Sequence, residues 1–137
     1  RSMARLILID DSPIVLKVLQ HELAERGHTV QEFQDARQAL FLIQKTPPDA
    51  VIVDYNMPGM NGVQFHARLR EGGVQNLPVI FLSVLDSKDY AAELPADPRV
   101  RFLKKPAGPD LIGAALAELL NAGPGQGPAE KAKIPAG

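Results

Sequence analysis

The chain has 137 residues, about the length of one ordinary domain. Its composition of 45% hydrophobic and 23% charged residues is close to the globular average, which excludes a wholly disordered or collagen-like protein. The formal net charge of −1 argues against direct binding of nucleic acid through a basic face, and the absence of cysteine excludes disulfides, thiolate metal sites and a cysteine nucleophile.

The apolar runs of the sequence are short. None approaches the ~20 residues that a helix needs to cross a bilayer, and the start of the chain has no apolar signal-peptide core. We therefore expect no membrane insertion and a cytoplasmic location.

The two ends of the chain are expected to lie outside the domain. Residues 1–2 precede a methionine and look like a cloning remnant. Residues 122–137 hold seven glycines and prolines and have little to bury, which is typical of a flexible tail or linker. The predicted domain covers residues 4–121.

The first half of the sequence alternates apolar runs with amphipathic stretches. In chain order it predicts a strand at 5–9, a helix at 13–26, a strand at 30–33, a helix from Asp35 to the prolines at 47–48, and a strand at 50–53. Ser12 suits the cap of the first helix and Pro13 suits its first turn, while Asp35 suits the cap of the second. The runs at 5–9 and 50–53 are apolar throughout, as in strands buried on both faces.

The second half continues the same alternation. It predicts a helix from Gly62 to the glycines at 72–73, a strand at 78–82, a short helix at 87–94, a strand at 100–103 and a final amphipathic helix around 110–119. Pro95 ends the short helix, because proline cannot donate the next backbone hydrogen bond.

Five strands that alternate with five helices predict an α/β fold, with a doubly wound five-stranded parallel sheet and helices on both faces. In such sheets ligands bind beyond the carboxyl ends of the strands. Polar residues follow four of the predicted strands. They are Asp10, Asp11, Asp54, Ser83 and Lys105. We therefore expect them to lie together at one edge of the sheet.

Three carboxylates at one edge would repel each other unless a cation joined them. Their hard oxygen atoms suit Mg²⁺, or Mn²⁺ in its place. With Lys105 added, such a pocket would be neutral and could accept a dianionic phosphoryl group. One of the carboxylates could act as the nucleophile and form an aspartyl-phosphate.

Each of these residues also has a simpler interpretation when it is taken alone. Asp10 and Asp11 could cap a helix, Asp54 could be a turn residue and Lys105 could belong to an ordinary loop. The stretch from Asp54 also begins like a calcium loop, but Phe65 stands where the last ligand should be. The joint placement at strand ends favours a shared site. The three histidines are isolated in the sequence and are interpreted as surface or cap residues. They are His21, His28 and His66.

Four motifs closely resemble the receiver domain of two-component response regulators. They are LILIDDSP at 6–13, VIVDYNMPGMNG at 51–62, VIFLS at 79–83 and FLKKP at 102–106. The resemblance runs over nearly the whole predicted domain. It implies the flavodoxin-like (βα)5 fold of receivers, with strand order 2-1-3-4-5.

The resemblance also implies roles for individual residues. Asp54 would be the phosphoacceptor. Asp11 would bind Mg²⁺ directly, Asp10 would act mostly through water, and the backbone carbonyl of Asn56 would complete the metal site.

The remaining implied roles concern the response to phosphorylation. Ser83 would donate a hydrogen bond to the phosphoryl group and Lys105 would pair with it. Phe102 would be the aromatic switch residue, and movement of Ser83 would make room for it. Phe102 lacks the hydroxyl of the more common tyrosine, which favours its buried rotamer.

The function implied by the resemblance is that of a bacterial phosphorylation-dependent signalling switch and not of a classical enzyme. The partners would be a sensor histidine kinase or a histidine phosphotransfer protein, and an output protein or domain. The domain would assist its own phosphorylation and dephosphorylation within a phosphorelay.

Two other functions stay open at this point. A receiver-like interaction module would work without phosphorylation, and the complete set of acidic, serine and lysine residues argues against it. A flavodoxin-like cofactor binder would need a phosphate loop rich in Ser, Thr or Gly after the first strand, where this chain has Asp10 and Asp11. The short predicted helix at 87–94 departs from the family pattern at the usual output face.

Overall fold

The computed structural model describes residues 4–85, 91–93 and 96–122 of the chain. The main elements in chain order are β1 (Arg5–Ile9), α1 (Pro13–Glu25), β2 (Thr29–Phe33), α2 (Ala36–Lys45), β3 (Ala50–Asp54), β4 (Asn56–Met57), β5 (Met60–Asn61), α3 (Gly62–Glu71), β6 (Val79–Ser83), β7 (Val100–Lys104) and α4 (Pro109–Ala122). A 3-10 turn at Ala91–Glu93 lies between β6 and β7.

Five strands form one parallel sheet in the order β2-β1-β3-β6-β7. When the two short strands β4 and β5 are left out of the numbering, this is the predicted order 2-1-3-4-5. The predicted doubly wound α/β fold is confirmed. The strands that the sequence marks as apolar throughout, β1 and β3, lie at the centre of the sheet.

Side chains alternate between the two faces of the sheet and build two apolar layers. One layer contains Ile7, Val53 and Phe81 and packs against α2 and α3. The other contains Leu8 and Ile52 and packs against α1 and α4. Helices therefore cover both faces, and the carboxyl ends of the strands stay open at one edge.

Local capping interactions fix where the helices begin. The Ser12 side chain accepts a hydrogen bond from the Val15 amide, and Asp35 accepts one from the Arg37 amide, as the sequence predicts for these caps. At the start of α3, Asn61 and Gln64 form a reciprocal capping box.

A small antiparallel hairpin of β4 and β5 was not predicted. Pro58 and Gly59 form its turn, and Gly59 has a φ of 81° that a glycine adopts without strain. Met57 and Met60 flank the turn and are buried, so the hairpin is packed against the α2 and α3 layer. It holds the chain beside the carboxyl end of β3.

The prediction that all three histidines are surface or cap residues is wrong for His66. Its side chain is buried in α3, and its Nε2 atom lies 2.6 Å from Oδ2 of Asp97. Arg70 donates to the same carboxylate oxygen. The buried His66 side chain therefore has a polar partner, Asp97, which lies in the loop before β7.

Several predictions fall outside the described residues. Of the predicted helix at 87–94, the structure describes residues 91–93 and no others. Residues 1–2 and the tail from 123 onward also lie outside, while α4 extends to Ala122. No helix among the described residues is long and apolar enough to cross a membrane.

Candidate functional site

The register of the sheet brings the predicted carboxylates together. Ile9 of β1 pairs with Val53 of β3. Asp10 directly follows Ile9 and Asp54 directly follows Val53, so both lie at the same edge of the sheet. One oxygen atom from each of Asp10, Asp11 and Asp54 lies within 4.8 Å of the others. The expected cluster of three carboxylates is therefore present.

Asp10 is fixed in place by two partners. It is 2% exposed, its Oδ1 atom accepts a hydrogen bond from the Ser12 amide at 2.9 Å, and its Oδ2 atom accepts one from Lys105 Nζ at 3.0 Å. The neighbouring Asp11 is exposed. Two adjacent carboxylates thus have different environments, one buried and paired and the other open to solvent.

Asp54 lies at the end of β3 and is 9% exposed. Burial raises its carboxyl pKa above the ordinary value; the Lys105 charge opposes this shift, and the nearby Asp10 carboxylate adds to it. The Asn56 amide donates to Oδ1 of Asp54 at 3.4 Å, and Lys105 Nζ lies 3.6 Å from the same atom. A further cation at this edge would favour the ionised carboxylate.

Lys105 connects two strand ends to the carboxylates. Its amide donates to the Ser83 carbonyl at 2.7 Å, and its side chain reaches Asp10 and Asp54. Burial alone would lower the pKa of Lys105, but the hydrogen bond to Asp10 and the charges of Asp54 and Asp10 together raise it. The ammonium group therefore stays charged at neutral pH.

Ser83 ends β6, which is the strand next to β3. The residue is buried, and its hydroxyl oxygen accepts a hydrogen bond from the Leu85 amide at 3.1 Å. A hydroxyl that accepts one hydrogen bond can still donate its own hydrogen to another acceptor. The structure thus gathers acid, hydroxyl and ammonium groups from four strand ends.

Comparison with known proteins shows the family of the chain. Residues 6–117 match the response regulator receiver domain family. The chain belongs to this family.

Individual relatives cover most of the receiver. The response regulator MprA of Mycolicibacterium vanbaalenii is 35% identical over 132 residues, which are 95% of this chain and 56% of that protein. The transcriptional regulatory protein TcrA of Mycobacterium tuberculosis is 34% identical over 126 residues, which are 90% of this chain and 48% of that protein. The chain thus spans about half the length of these relatives.

A solved structure shows the same fold. The chemotaxis response regulator CheY4 of Vibrio cholerae superposes on the receiver with a TM-score of 0.74 at 30% identity, and the match covers 87% of this chain and 100% of that one.

The acidic pocket of this receiver suits a hard divalent cation. Its three side chains offer carboxylate oxygens, which are the ligands that Mg²⁺ prefers, and the exposed Asp11 leaves room for the water molecules that Mg²⁺ retains. Asn56, whose carbonyl is a predicted ligand, lies in the hairpin directly after β3. The donor set therefore fits the metal that the sequence predicts.

The predicted switch residue Phe102 lies in an aromatic cluster beneath this edge. Its ring stacks on Phe81 with centroids 5.4 Å apart, and it lies 6.1 Å from the ring of Tyr55. Phe102 is half-buried and lines the α2 and α3 layer. It therefore contacts the residue that directly follows Asp54.

Tyr55 is the residue of this region that the sequence analysis missed. It is buried, and it continues the face of β3 that carries Val51 and Val53. Its hydroxyl donates to Oε1 of Glu93 at 2.7 Å. The period of two along a strand was the available signal, because it places position 55 on the same face of the sheet as Val51 and Val53.

Proposed function

We propose that this receiver is a phosphorylation-dependent signalling switch, comprising residues 4–121, in which Asp54 accepts a phosphoryl group. The observation that carries the proposal is the position of Asp54 between two further carboxylates and the Lys105 ammonium group. This arrangement combines a nucleophile with the charges that stabilise a phosphoryl group, which is what phosphoryl transfer needs most.

The proposed donor is a phosphohistidine of a sensor kinase or of a phosphotransfer protein. A carboxylate oxygen of Asp54 forms the new O–P bond while the P–N bond to the donor imidazole breaks, and the bonding electron pair returns to the imidazole nitrogen. Lys105 pairs with a phosphoryl oxygen, and the Ser83 hydroxyl donates to another. Hydrolysis of the aspartyl-phosphate by water later breaks the O–P bond, releases inorganic phosphate and restores the carboxylate.

Asp10, Asp11, Asp54 and the Asn56 carbonyl would hold Mg²⁺. The bound ion would offset the negative charge that accumulates between the phosphoryl group and the carboxylates. Asp10 already has two protein partners in the structure, which favours Asp11 as the more direct ligand of the two.

The kinase or phosphotransfer protein must cover the rim of this pocket to reach Asp54. A groove of about 330 Å³ beside the pocket is lined by apolar side chains of α1 and of the loop after β7, and Lys105 forms part of both. Ile14 in this groove is 75% exposed, and Val18 lies one turn further along α1. We propose that an apolar helix of the donor protein docks in this groove.

Phosphorylation would pull Ser83 and Lys105 towards the new group and change the space available to Phe102. Such a shift biases an equilibrium between two conformations, and an output protein or domain would read the difference. The receiver assists its own phosphorylation and dephosphorylation and does not turn over an external substrate as an enzyme does.

Incubation with acetyl phosphate and Mg²⁺, followed by intact-mass spectrometry, tests the proposal. We expect one added phosphoryl group, and we expect Asp54→Ala to abolish it. Asp49→Ala, which removes an exposed aspartate elsewhere in the chain, serves as the control and keeps the label. Labelling of Asp54→Ala near the wild-type rate would refute the assignment, and an unlabelled wild-type chain would favour the interaction module.

A further inference from the structure

We propose that Tyr55 transmits the phosphorylation state of Asp54 to the 3-10 turn at 91–93 through the hydrogen bond between its hydroxyl and Glu93. Tyr55 is thus a positioning residue, not a catalytic one. This inference rests on the proposed function, because it needs phosphorylation of Asp54 as its input.

Tyr55 is attached to the phosphorylation site through the backbone. It directly follows Asp54, and its amide donates to the Leu82 carbonyl at 2.8 Å. Leu82 in turn precedes Ser83, the proposed hydroxyl donor to the phosphoryl group. Displacement of either strand end therefore acts on the peptide of Tyr55.

The ring of Tyr55 is tightly enclosed. A Cβ atom added at Gly62 would lie 2.1 Å from Cδ1 of the ring, so the helix backbone packs directly against one face. The Phe81 ring contacts Tyr55 edge-on, with centroids 5.4 Å apart. Because close-packed groups transmit displacement and do not absorb it, movement of the Tyr55 backbone must carry the ring with it.

The hydroxyl of Tyr55 emerges from this enclosure at a surface element. Its acceptor, Glu93, belongs to the turn at 91–93 and is exposed, and the O···O distance of 2.7 Å is that of a well-formed hydrogen bond to a carboxylate. The bond joins residues 38 positions apart in the sequence. It ties a buried ring beside the phosphoacceptor to a surface that an output partner can contact.

The composition of the aromatic cluster makes this connection specific to Tyr55. Phe102, the predicted switch residue, has no hydroxyl and contacts Tyr55 through its ring. Among Tyr55, Phe65, Phe81 and Phe102, Tyr55 alone carries a polar group. A rearrangement of Phe102 therefore reaches Glu93 through the Tyr55 hydroxyl.

A purely structural role for Tyr55 makes a different prediction. In that case the ring fills the space beneath Gly62, and the hydroxyl only satisfies its own polarity at the edge of the core. Tyr55→Phe keeps the ring and removes the hydroxyl, so it separates the two roles without emptying the core.

The test uses beryllofluoride with Mg²⁺ as the probe of the phosphorylated form. Wild type is compared with Tyr55→Phe, Glu93→Ala and the double variant, and Glu71→Ala serves as a control because it removes another exposed glutamate. Binding is measured by titration. Backbone amide spectra and the ¹³Cζ resonance of Tyr55 report conformation. The chain has two tyrosines, so the resonance lost in Tyr55→Phe identifies Tyr55.

We expect beryllofluoride to shift the Tyr55 ¹³Cζ resonance and the Glu93 amide in wild type and in Glu71→Ala. In Tyr55→Phe the Glu93 amide should lose most of this shift, while Lys105 and Ser83 still respond. By reciprocity, each single variant should change the affinity for beryllofluoride by about two- to tenfold, the range for one hydrogen bond. The double variant should show no further change, because both substitutions break the same bond.

Equal Glu93 shifts in wild type and Tyr55→Phe would overturn the inference and leave the proposed function intact. The inference would also be overturned if the fold-changes in beryllofluoride affinity of the two single variants multiplied in the double variant. A wild-type chain that binds no beryllofluoride would overturn the proposed function, and this inference with it.

Discussion

Asp10 and Asp11 are adjacent in the sequence but have opposite surroundings. Asp10 is buried and pairs with Lys105, whereas Asp11 is exposed beside the pocket. The two residues therefore contribute differently to stability and to metal binding. Substitution of each in turn separates these contributions.

We expect Asp11→Ala to lose affinity for Mg²⁺ while the metal-free protein keeps or gains thermal stability. The substitution removes a ligand, and it also removes one of the negative charges that raise the pKa of Asp54. Calorimetric titration gives the metal affinity and thermal unfolding gives the stability.

Asp10→Ala provides the contrast for this experiment. It leaves the half-buried Lys105 ammonium group without its nearest carboxylate, so we expect a loss of about 2–3 kcal/mol in the free energy of unfolding. Unchanged Mg²⁺ affinity in Asp11→Ala would contradict the proposed metal site.

Asp97 makes stability depend on pH at the opposite edge of the sheet from the carboxylate cluster. Burial alone would raise its pKa, but hydrogen bonds from His66, the Arg99 amide and Arg70 together lower it below the ordinary value of 3.8. An aspartate whose pKa is lowered by folding stabilises the protein fully at pH values above its pKa in the unfolded chain. This stabilisation is lost as the pH falls through its pKa in the folded protein.

We therefore expect Asp97→Asn to lower the free energy of unfolding by about 2 kcal/mol at pH 7, because it removes the charge that pairs with Arg70. The difference from wild type should shrink as pH falls below about 4, where the unfolded aspartate is protonated. Urea unfolding at several pH values measures both effects. Glu25→Gln, at an exposed pair with His21, is the control and should change little. A difference that stays constant down to pH 3 would contradict this explanation.

At the scale of elements, two helices contain glycines with opposite surroundings. Gly62 is the first residue of α3 and lies against the buried Tyr55 ring. Gly113 lies inside α4, and apart from its chain neighbours and the backbone of its own helix no described atom lies within 4 Å of the position that its Cβ would take. The same substitution should therefore have opposite effects in the two helices.

We expect Gly62→Ala to destabilise the protein by about 1–3 kcal/mol, because the ring beneath it is enclosed and must move. Gly113→Ala should stabilise it by about 0.5–1 kcal/mol, because alanine is the better helix former and meets no obstruction. Thermal or urea unfolding of both variants measures the difference. A neutral or stabilising Gly62→Ala would show that α3 does not constrain Tyr55, and a destabilising Gly113→Ala would contradict the prediction for α4.

Across the whole molecule, the acidic residues of the final helix already have partners within the chain. Asp110 accepts a hydrogen bond from Arg26 of the C-cap of α1 at 2.6 Å, and Glu118 accepts one from Arg101 of β7 at 3.1 Å. The helix itself carries no lysine or arginine. A charge-paired two-fold interface would need the acidic and the basic residue of each pair on the same surface patch. Its formation would also have to break these two contacts within the chain.

We therefore predict that this chain does not form the charge-paired dimer of DNA-binding regulators, even when it is activated. It would act as a monomer that docks onto another protein, or dimerise through a different face. Sedimentation velocity with Mg²⁺, with and without beryllofluoride, measures the state of association, and Asp54→Ala is the unresponsive control. A tight activated dimer with its interface at residues 87–118 would contradict this prediction.

The sequence by itself determined the order of the five strands of the main sheet and the polar residues that follow them at its carboxyl edge. Continuous apolar runs such as β3 can be buried only at the centre of a parallel sheet, and residues that follow parallel strands must meet at one edge. The caps at Ser12 and Asp35 were equally predictable, because capping depends on residues within one helical turn.

Only the tertiary structure decided which polar groups pair. Lys105 bonds to Asp10 across 95 positions, His66 to Asp97 across 31, and Tyr55 to Glu93 across 38. No local period in the sequence encodes such pairs, because they depend on how helices and loops pack against the sheet and on where burial leaves a polar group in need of a partner.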